Sequence, residues 1–176
     1  MSKPSQVIVL TEDRRQQTFV RRYLERANYS YHQIQLEPLP AGRGSGEQWV
    51  RQRYAKNVEA YRARAARAAT ALVVVIDADT RTVSHRIGQL RESAVRGTDE
   101  KISHLIPKRN IETWILCLRG NAVDEETDYH DEQGIEDQIK PAAETFFDWS
   151  RPNAGLSAHC VESLRLAIPE IQRLEG

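Results

Sequence analysis

Residues 71–80 read Ala71-Leu72-Val73-Val74-Val75-Ile76-Asp77-Ala78-Asp79-Thr80, and the reading of this stretch decides the fold. Five consecutive large aliphatic residues, three of them Val, form too short and too β-branched a run for a helix. They predict a strand buried on both faces, which belongs in a parallel sheet. The run stops abruptly at two carboxylates separated by one small residue. Open parallel sheets bind ligands at the carboxyl ends of their strands. Asp77 and Asp79 are therefore poorly placed for a core and well placed for a divalent cation. Alternation along an extended chain points both side chains the same way, toward one hard metal ion.

A second aliphatic run, Gln6 to Leu10, predicts the first strand, and it too ends in acids, Glu12 and Asp13. Phe19, Val20, Tyr23, Leu24 and Ala27 then recur at helical spacing. Tyr31 to Leu39 alternates loosely and predicts another strand, closed by Pro38 and Pro40. The glycine-rich stretch 41–46 lacks the Gly-Lys-Ser/Thr ending of a phosphate-binding loop. Ser45 is placed to cap a long helix reaching about Ala69. Further helices are expected from Val83 to near Gly97 and from Ile111 to Leu118, with a short strand at 101–107 between them. Ser157 is expected to cap a last helix through Val161, Leu164 and Ile168, with Pro169 beginning or kinking one more turn.

The 176 residues suit one domain, 1–120, with an appended acidic helical extension, 121–176. Forty per cent apolar and 28% charged residues are ordinary for a globular chain, and no run approaches transmembrane length. With no signal-peptide core, a cytoplasmic location is expected. Cys117 and Cys160 lie far apart in sequence and are read as reduced thiols. The five histidines show no ligand spacing.

A net charge of zero conceals a split: residues 1–120 hold 21 Lys and Arg against 12 acids, and residues 121–176 hold 4 against 13. Such asymmetry predicts one face that meets a polyanion. The long helix carries Arg51, Arg53, Lys56, Arg62 and Arg64, with Arg43 in the loop before it. Beside a glycine-rich loop these form a candidate surface for a nucleic-acid backbone. Trp49 is the aromatic best placed to stack on a base.

If strands 1 and 3 are neighbours, Glu12, Asp13, Asp77 and Asp79 converge on one edge. Such carboxylates raise each other's pKa unless a cation is present. Mg²⁺ or Mn²⁺ would relieve this, and the chemistry served is phosphoryl transfer or phosphodiester cleavage.

A hydrophobic strand ending in Glu, then a hydrophobic strand ending in Asp-x-Asp 65 residues later, resembles the Toprim fold of topoisomerases, bacterial primases and OLD-family nucleases. The resemblance covers about residues 6–118 and implies a doubly wound α/β domain of about four parallel strands. It implies acid–base chemistry for Glu12, which would also serve as a ligand, and Mg²⁺ binding for Asp77 and Asp79. A basic residue near the last strand assists the family's nucleases, a role open here to Lys108 or Arg109. Arg109, Ile111, Glu112 and Trp114 resemble the end of small Toprim-like proteins of bacterial defence loci, commonly encoded beside an ATPase. The expectation is thus a nuclease effector of an antiphage system with an ATPase partner.

The chain departs from the family pattern in three places. Thr11 and Asp13 flank Glu12 where many members have a glycine beside the glutamate, Gln16 stands where OLD nucleases place a further acid, and Thr80 and Arg81 follow Asp79. Asp13 or Glu112 would have to supply a further ligand. Other readings are a non-catalytic Toprim-like subunit that binds a partner, a receiver-type module with Asp77 as phosphoacceptor, and a phosphatase of the haloacid-dehalogenase type.

Overall fold

Thr70–Val75 is a strand with every residue buried, as so apolar a run requires. In this computed structural model, which describes residues 2–42 and 44–176, it is the third of four strands. The chain runs β1 (Gln6–Leu10), α1 (Arg14–Arg26), β2 (Ile34–Leu36), α2 (Gly46–Ala65), β3 (Thr70–Val75) and α3 (Val83–Ser93). It continues through β4 (Ile102–Leu105), α4 (Ile111–Leu118), α5 (Ile135–Trp149) and α6 (Glu162–Gln172). All pairings are parallel and the spatial order is β2-β1-β3-β4.

Alternation along the strands sorts the core into two layers. Val7, Val9, Ala71, Val73, Val75 and Leu105 face the layer that holds α1, α4, α5 and α6. Ile8, Leu10, Leu72, Val74, Ile76 and Ile102 face the layer that holds α2 and α3. Helices on both faces of a parallel sheet make a doubly wound α/β architecture. The chain leaves β1 in one direction to form β2 and in the other to form β3, so the switch point lies between the carboxyl ends of β1 and β3.

The acidic extension enters the first of these cores. Phe146 of α5 is fully buried, its ring 5.5 Å from Phe19, 5.3 Å from Tyr23 and 6.2 Å from Trp114. Leu164, Ala167 and Ile171 of α6 join the same cluster. An Arg96–Glu170 ion pair covers the outer edge of β4. Arg96 donates to the Ile102 carbonyl at 2.7 Å, and a Glu170 oxygen accepts the His104 N–H at 2.8 Å. A strand edge so occupied offers little to a second chain. Burial and the Arg96 charge push the His104 imidazole down to about 3, so it is neutral, and its Nε2 lies 2.8 Å from the Tyr54 hydroxyl.

Several boundaries differ from the sequence expectation. α2 ends at Ala65, because Ala66 to Ala69 turn into β3. Residues 31–33 form a 3-10 turn, leaving only Ile34–Leu36 as strand. α6 begins at Glu162, three residues after the turn in which Ser157 accepts the His159 N–H, and it runs unbroken through Pro169. Among the described residues no helix is long and apolar enough to cross a membrane.

If α5 belongs to the core, Phe146→Ala should destabilise the whole chain by about 3–5 kcal/mol. Urea unfolding followed by far-UV circular dichroism and by tryptophan fluorescence measures this. A midpoint shift of under about 0.5 kcal/mol would show that α5 is peripheral.

Candidate active site

Glu12 follows β1 by two residues, and Asp77 follows β3 by the same interval. Because the strands are adjacent and in register (Leu10 opposite Val74), the Glu12 carboxylate reaches across the switch point. Its Oε2 accepts the Asp77 backbone N–H at 2.7 Å and the Gln16 Nε2 at 2.8 Å. Gln16 is fully buried and returns the contact, its Oε1 accepting the Glu12 N–H at 2.9 Å. Glu12 is thereby fixed from both ends.

The second layer closes on the same point. A side-chain carbon at Gly46 would stand 2.8 Å from Glu12 Cβ, so only glycine lets the start of α2 approach this closely. Arg86 of α3, only 5% exposed, donates from Nε to the Asp77 carbonyl at 2.9 Å and from Nη1 to Glu47 at 3.0 Å. Residue 77 thus has its N–H held by Glu12 and its carbonyl held by Arg86. Beyond β3 the chain still bonds toward β4, Ile76 and Ala78 donating to the Leu105 and Pro107 carbonyls at 3.1 and 2.8 Å.

Electrostatics at this edge are unfavourable to charge. Burial raises Asp77 well above the usual carboxylate range, and the charges of Glu12, Asp13 and Glu112 raise it further. Burial likewise pushes Glu12 up to about 7 with help from Asp13, although the Asp77 N–H and Gln16 bonds and the Arg86 charge pull the other way. Asp77 Oδ1 is buried with no hydrogen-bond donor among the described residues. A buried carboxylate oxygen without a donor is costly.

Asp79 does not share this environment. Its backbone is left-handed (φ 56°), so the alternation expected of an extended chain fails there, and its Oδ1 accepts from Arg109 at 2.8 Å. Asp13 is occupied as the α1 cap, accepting the Gln16 N–H at 2.9 Å. Glu112 is 2% exposed and accepts from Arg15 at 2.7 Å. Among the described residues no three His, Cys, Asp or Glu side chains are grouped to hold an ion. Glu12 and Asp77 remain as a two-carboxylate edge. That donor set suits Mg²⁺ or Mn²⁺, which take one or two carboxylates and fill the other positions with water or phosphate oxygens.

The basic residues take up other partners. Lys108 stands 3.4 Å from Glu126, and Arg109 bonds Asp79 and Asp128. On α2, Arg51 pairs with Glu47, Arg62 pairs with Glu100, and Arg64 donates to Gln35 and Gln6. Arg53 lies 3.7 Å over the Trp49 ring, covering the face expected to stack on a base. Lys56 is exposed, and Arg43 lies outside the described residues. Beside Asp13 a cavity of about 360 Å³ is lined by Arg14, Arg15, Thr18, His130 and Glu136.

Gly46 and Arg86 were not singled out as site residues from the sequence, and Gln16 stood out only as the residue found where the resembled nucleases carry an acid. Gly46 belongs to the glycine-rich stretch 41–46.

The shifted Glu12 makes a prediction about pH. In the unfolded chain it titrates near 4.5 and in the folded chain near 7, so between these values the folded state holds a proton that the unfolded state has lost. Stability therefore falls as pH rises through that window and stays reduced above it. In metal-free buffer Glu12→Gln should raise the melting temperature at pH 8 by about 2–6 °C and change it less at pH 5. Parallel melting profiles of the two proteins from pH 5 to 8 would contradict the assignment.

No protein-family model matches this chain, and neither does any curated protein or solved structure.

Proposed function

We propose that the chain is a Mg²⁺- or Mn²⁺-dependent phosphodiesterase acting on nucleic acid, with a Toprim-like catalytic edge formed by Glu12 and Asp77. The observation that carries this reading is the pairing of the two raised carboxylates at the β1/β3 switch point, one of them with a buried oxygen that lacks a donor among the described residues. The two-carboxylate donor set supports a divalent cation there, as does the family resemblance of the strand-ending acids. The chemistry such a cation supplies is polarisation of a phosphoryl oxygen and stabilisation of the leaving oxygen.

In this reading Asp77 and Glu12 hold the cation, and Glu12 also moves a proton. In the metal-free chain the Glu12 carboxyl titrates near 7, and a bound cation would lower it toward the carboxylate form that accepts a proton. Gln16 fixes the orientation of Glu12, and Arg86 fixes the peptide of Asp77, so neither carboxylate reorients during reaction. Asp79 holds Arg109 in place, and Arg109 and Lys108 supply positive charge toward a phosphodiester. The resemblance to defence-locus proteins adds an ATPase partner and an antiphage role to the proposal.

The test incubates the purified protein, with and without the product of a neighbouring ATPase gene, with plasmid, transfer RNA and single-stranded DNA. Each is run in Mg²⁺, Mn²⁺ or EDTA. Cleavage in Mg²⁺ or Mn²⁺ that EDTA stops, and that Asp77→Asn and Glu12→Gln each reduce by at least about 100-fold, is expected. Mg²⁺ should raise the melting temperature of the parent chain and leave that of Asp77→Asn unchanged. Cleavage undiminished in Asp77→Asn would refute the assignment, and a Mg²⁺ response without cleavage would favour a non-catalytic binding subunit.

A further inference from the structure

Three cations of the basic half are held by carboxylates from the segment that joins α4 to α5 and from the first turn of α5. Lys108 stands 3.4 Å from Glu126, Arg109 donates to Asp128 at 3.2 Å, and Arg15 donates to Glu136 at 2.8 Å. Asn110 adds a bond to Asp128 at 2.7 Å, and Arg15 reaches the His130 carbonyl at 2.8 Å. The carboxylates lie outermost: Glu126 is 84%, Asp128 50% and Glu136 67% exposed, against 20–23% for the three cations. A row of carboxylates over a row of Lys and Arg is the contact that a phosphodiester backbone makes, because both kinds of oxygen accept charge-assisted bonds from the same donors.

Two further features point to a replaceable cover. Arg109 Nε is buried with no acceptor among the described residues, so the acids do not satisfy the guanidinium fully. The covering segment is also bounded by two glycines in the left-handed region, Gly120 (φ 88°) after α4 and Gly134 (φ 73°) before α5. Backbone rotation at both ends is therefore open to the chain.

We propose that residues 121–134 are an intramolecular mimic of a nucleic-acid backbone, and that a single-stranded nucleic acid displaces them to bind Lys108 and Arg109, while Arg15 stays on Glu112 and Glu136. The proposal rests on the reading of the substrate class given above, but it concerns binding and is tested without cleavage.

The experiment measures fluorescence anisotropy of a labelled 30-nucleotide single strand, in EDTA, over a range of salt. It compares the parent chain, Glu126→Gln/Asp128→Asn, and that pair combined with Arg109→Ala. A control, Glu92→Gln/Asp99→Asn, has the same net charge but is altered at exposed positions on α3 and in the loop after it. The loop variant should bind on the order of tenfold tighter, with a salt slope steeper by about one to two. Arg109→Ala should remove most of the gain, and the control should change affinity by less than about twofold. In the parent chain, saturating oligonucleotide should speed hydrogen exchange at Thr127 and His130, whose N–H groups bond Asp124 and Asp128. Equal affinities for the loop variant and the parent, a gain matched by the control, or slower exchange in the segment would each overturn the proposal. Tight binding by the loop variant with no cleavage under any metal would overturn the phosphodiesterase reading and leave this one standing.

Discussion

The contact on which the arrangement turns is the one from the Asp77 N–H to the Glu12 carboxylate across the β1/β3 junction. Two parallel strands that end within one residue of each other bring the two acids together, and burial by the flanking layers then makes their charges expensive. Ordinary folding relieves such a conflict by pairing each acid with a cation. Here Arg86, the buried cation behind the junction, donates to the Asp77 carbonyl, to Glu47 and to Gln89. The acids are left to be satisfied by protonation or by something bound from outside.

Every element around the junction contributes to keeping it that way. Gly46 lets a twenty-residue helix begin in contact with Glu12, and the buried Gln16 grips the carboxylate from the first turn of α1. Asp13 would be a further ligand only by giving up the α1 cap, a contact of about 1 kcal/mol. Glu112 would likewise have to abandon Arg15 while almost fully buried. The site is narrow because its neighbours are already committed.

How much of this could be read from the residues depends on how local each determinant is. The strands were legible because β1 and β3 are apolar on both faces, and only the middle of a doubly covered sheet tolerates that. The meeting of Glu12 with Asp77 followed once the strands were placed as neighbours. Asp79 was misplaced in direction because alternation holds only while the backbone stays extended, and it leaves that region one residue after Ala78. Gln16 stood out only as a departure from the resembled nucleases, which carry an acid there, and Arg86 gave no signal, since an arginine within a helix is ordinary until the fold brings it to the acid. Burial pushes the Cys160 thiol up to about 11, with Cys117, distant in sequence but near it in the fold, adding to the rise, and burial raises Cys117 as well.

The opposed charges of the two halves find their explanation in the same geometry. Arg15–Glu136, Arg26–Asp148, Arg96–Glu170, Lys108–Glu126 and Arg109–Asp128 all join the basic half to the acidic half, so the split is largely complementarity within one molecule. These pairs do not all do the same work. α5 and α6 are held by Phe146, Leu164 and Ile171 in the core, and Arg96–Glu170 closes a strand edge. Residues 121–134 set only Val123 and Tyr129 against the core and hold Ser163 through Glu125, and their pairs to Lys108 and Arg109 involve carboxylates at least half exposed. Exposed ion pairs contribute about 0–1 kcal/mol each. Lifting this segment away therefore costs far less than undocking either helix, and it would bare two cations, Lys108 and Arg109, at the edge where the β4–α4 loop meets the Asp77–Asp79 turn. A polyanion that offers several phosphates at once meets that cost without disturbing the fold beneath.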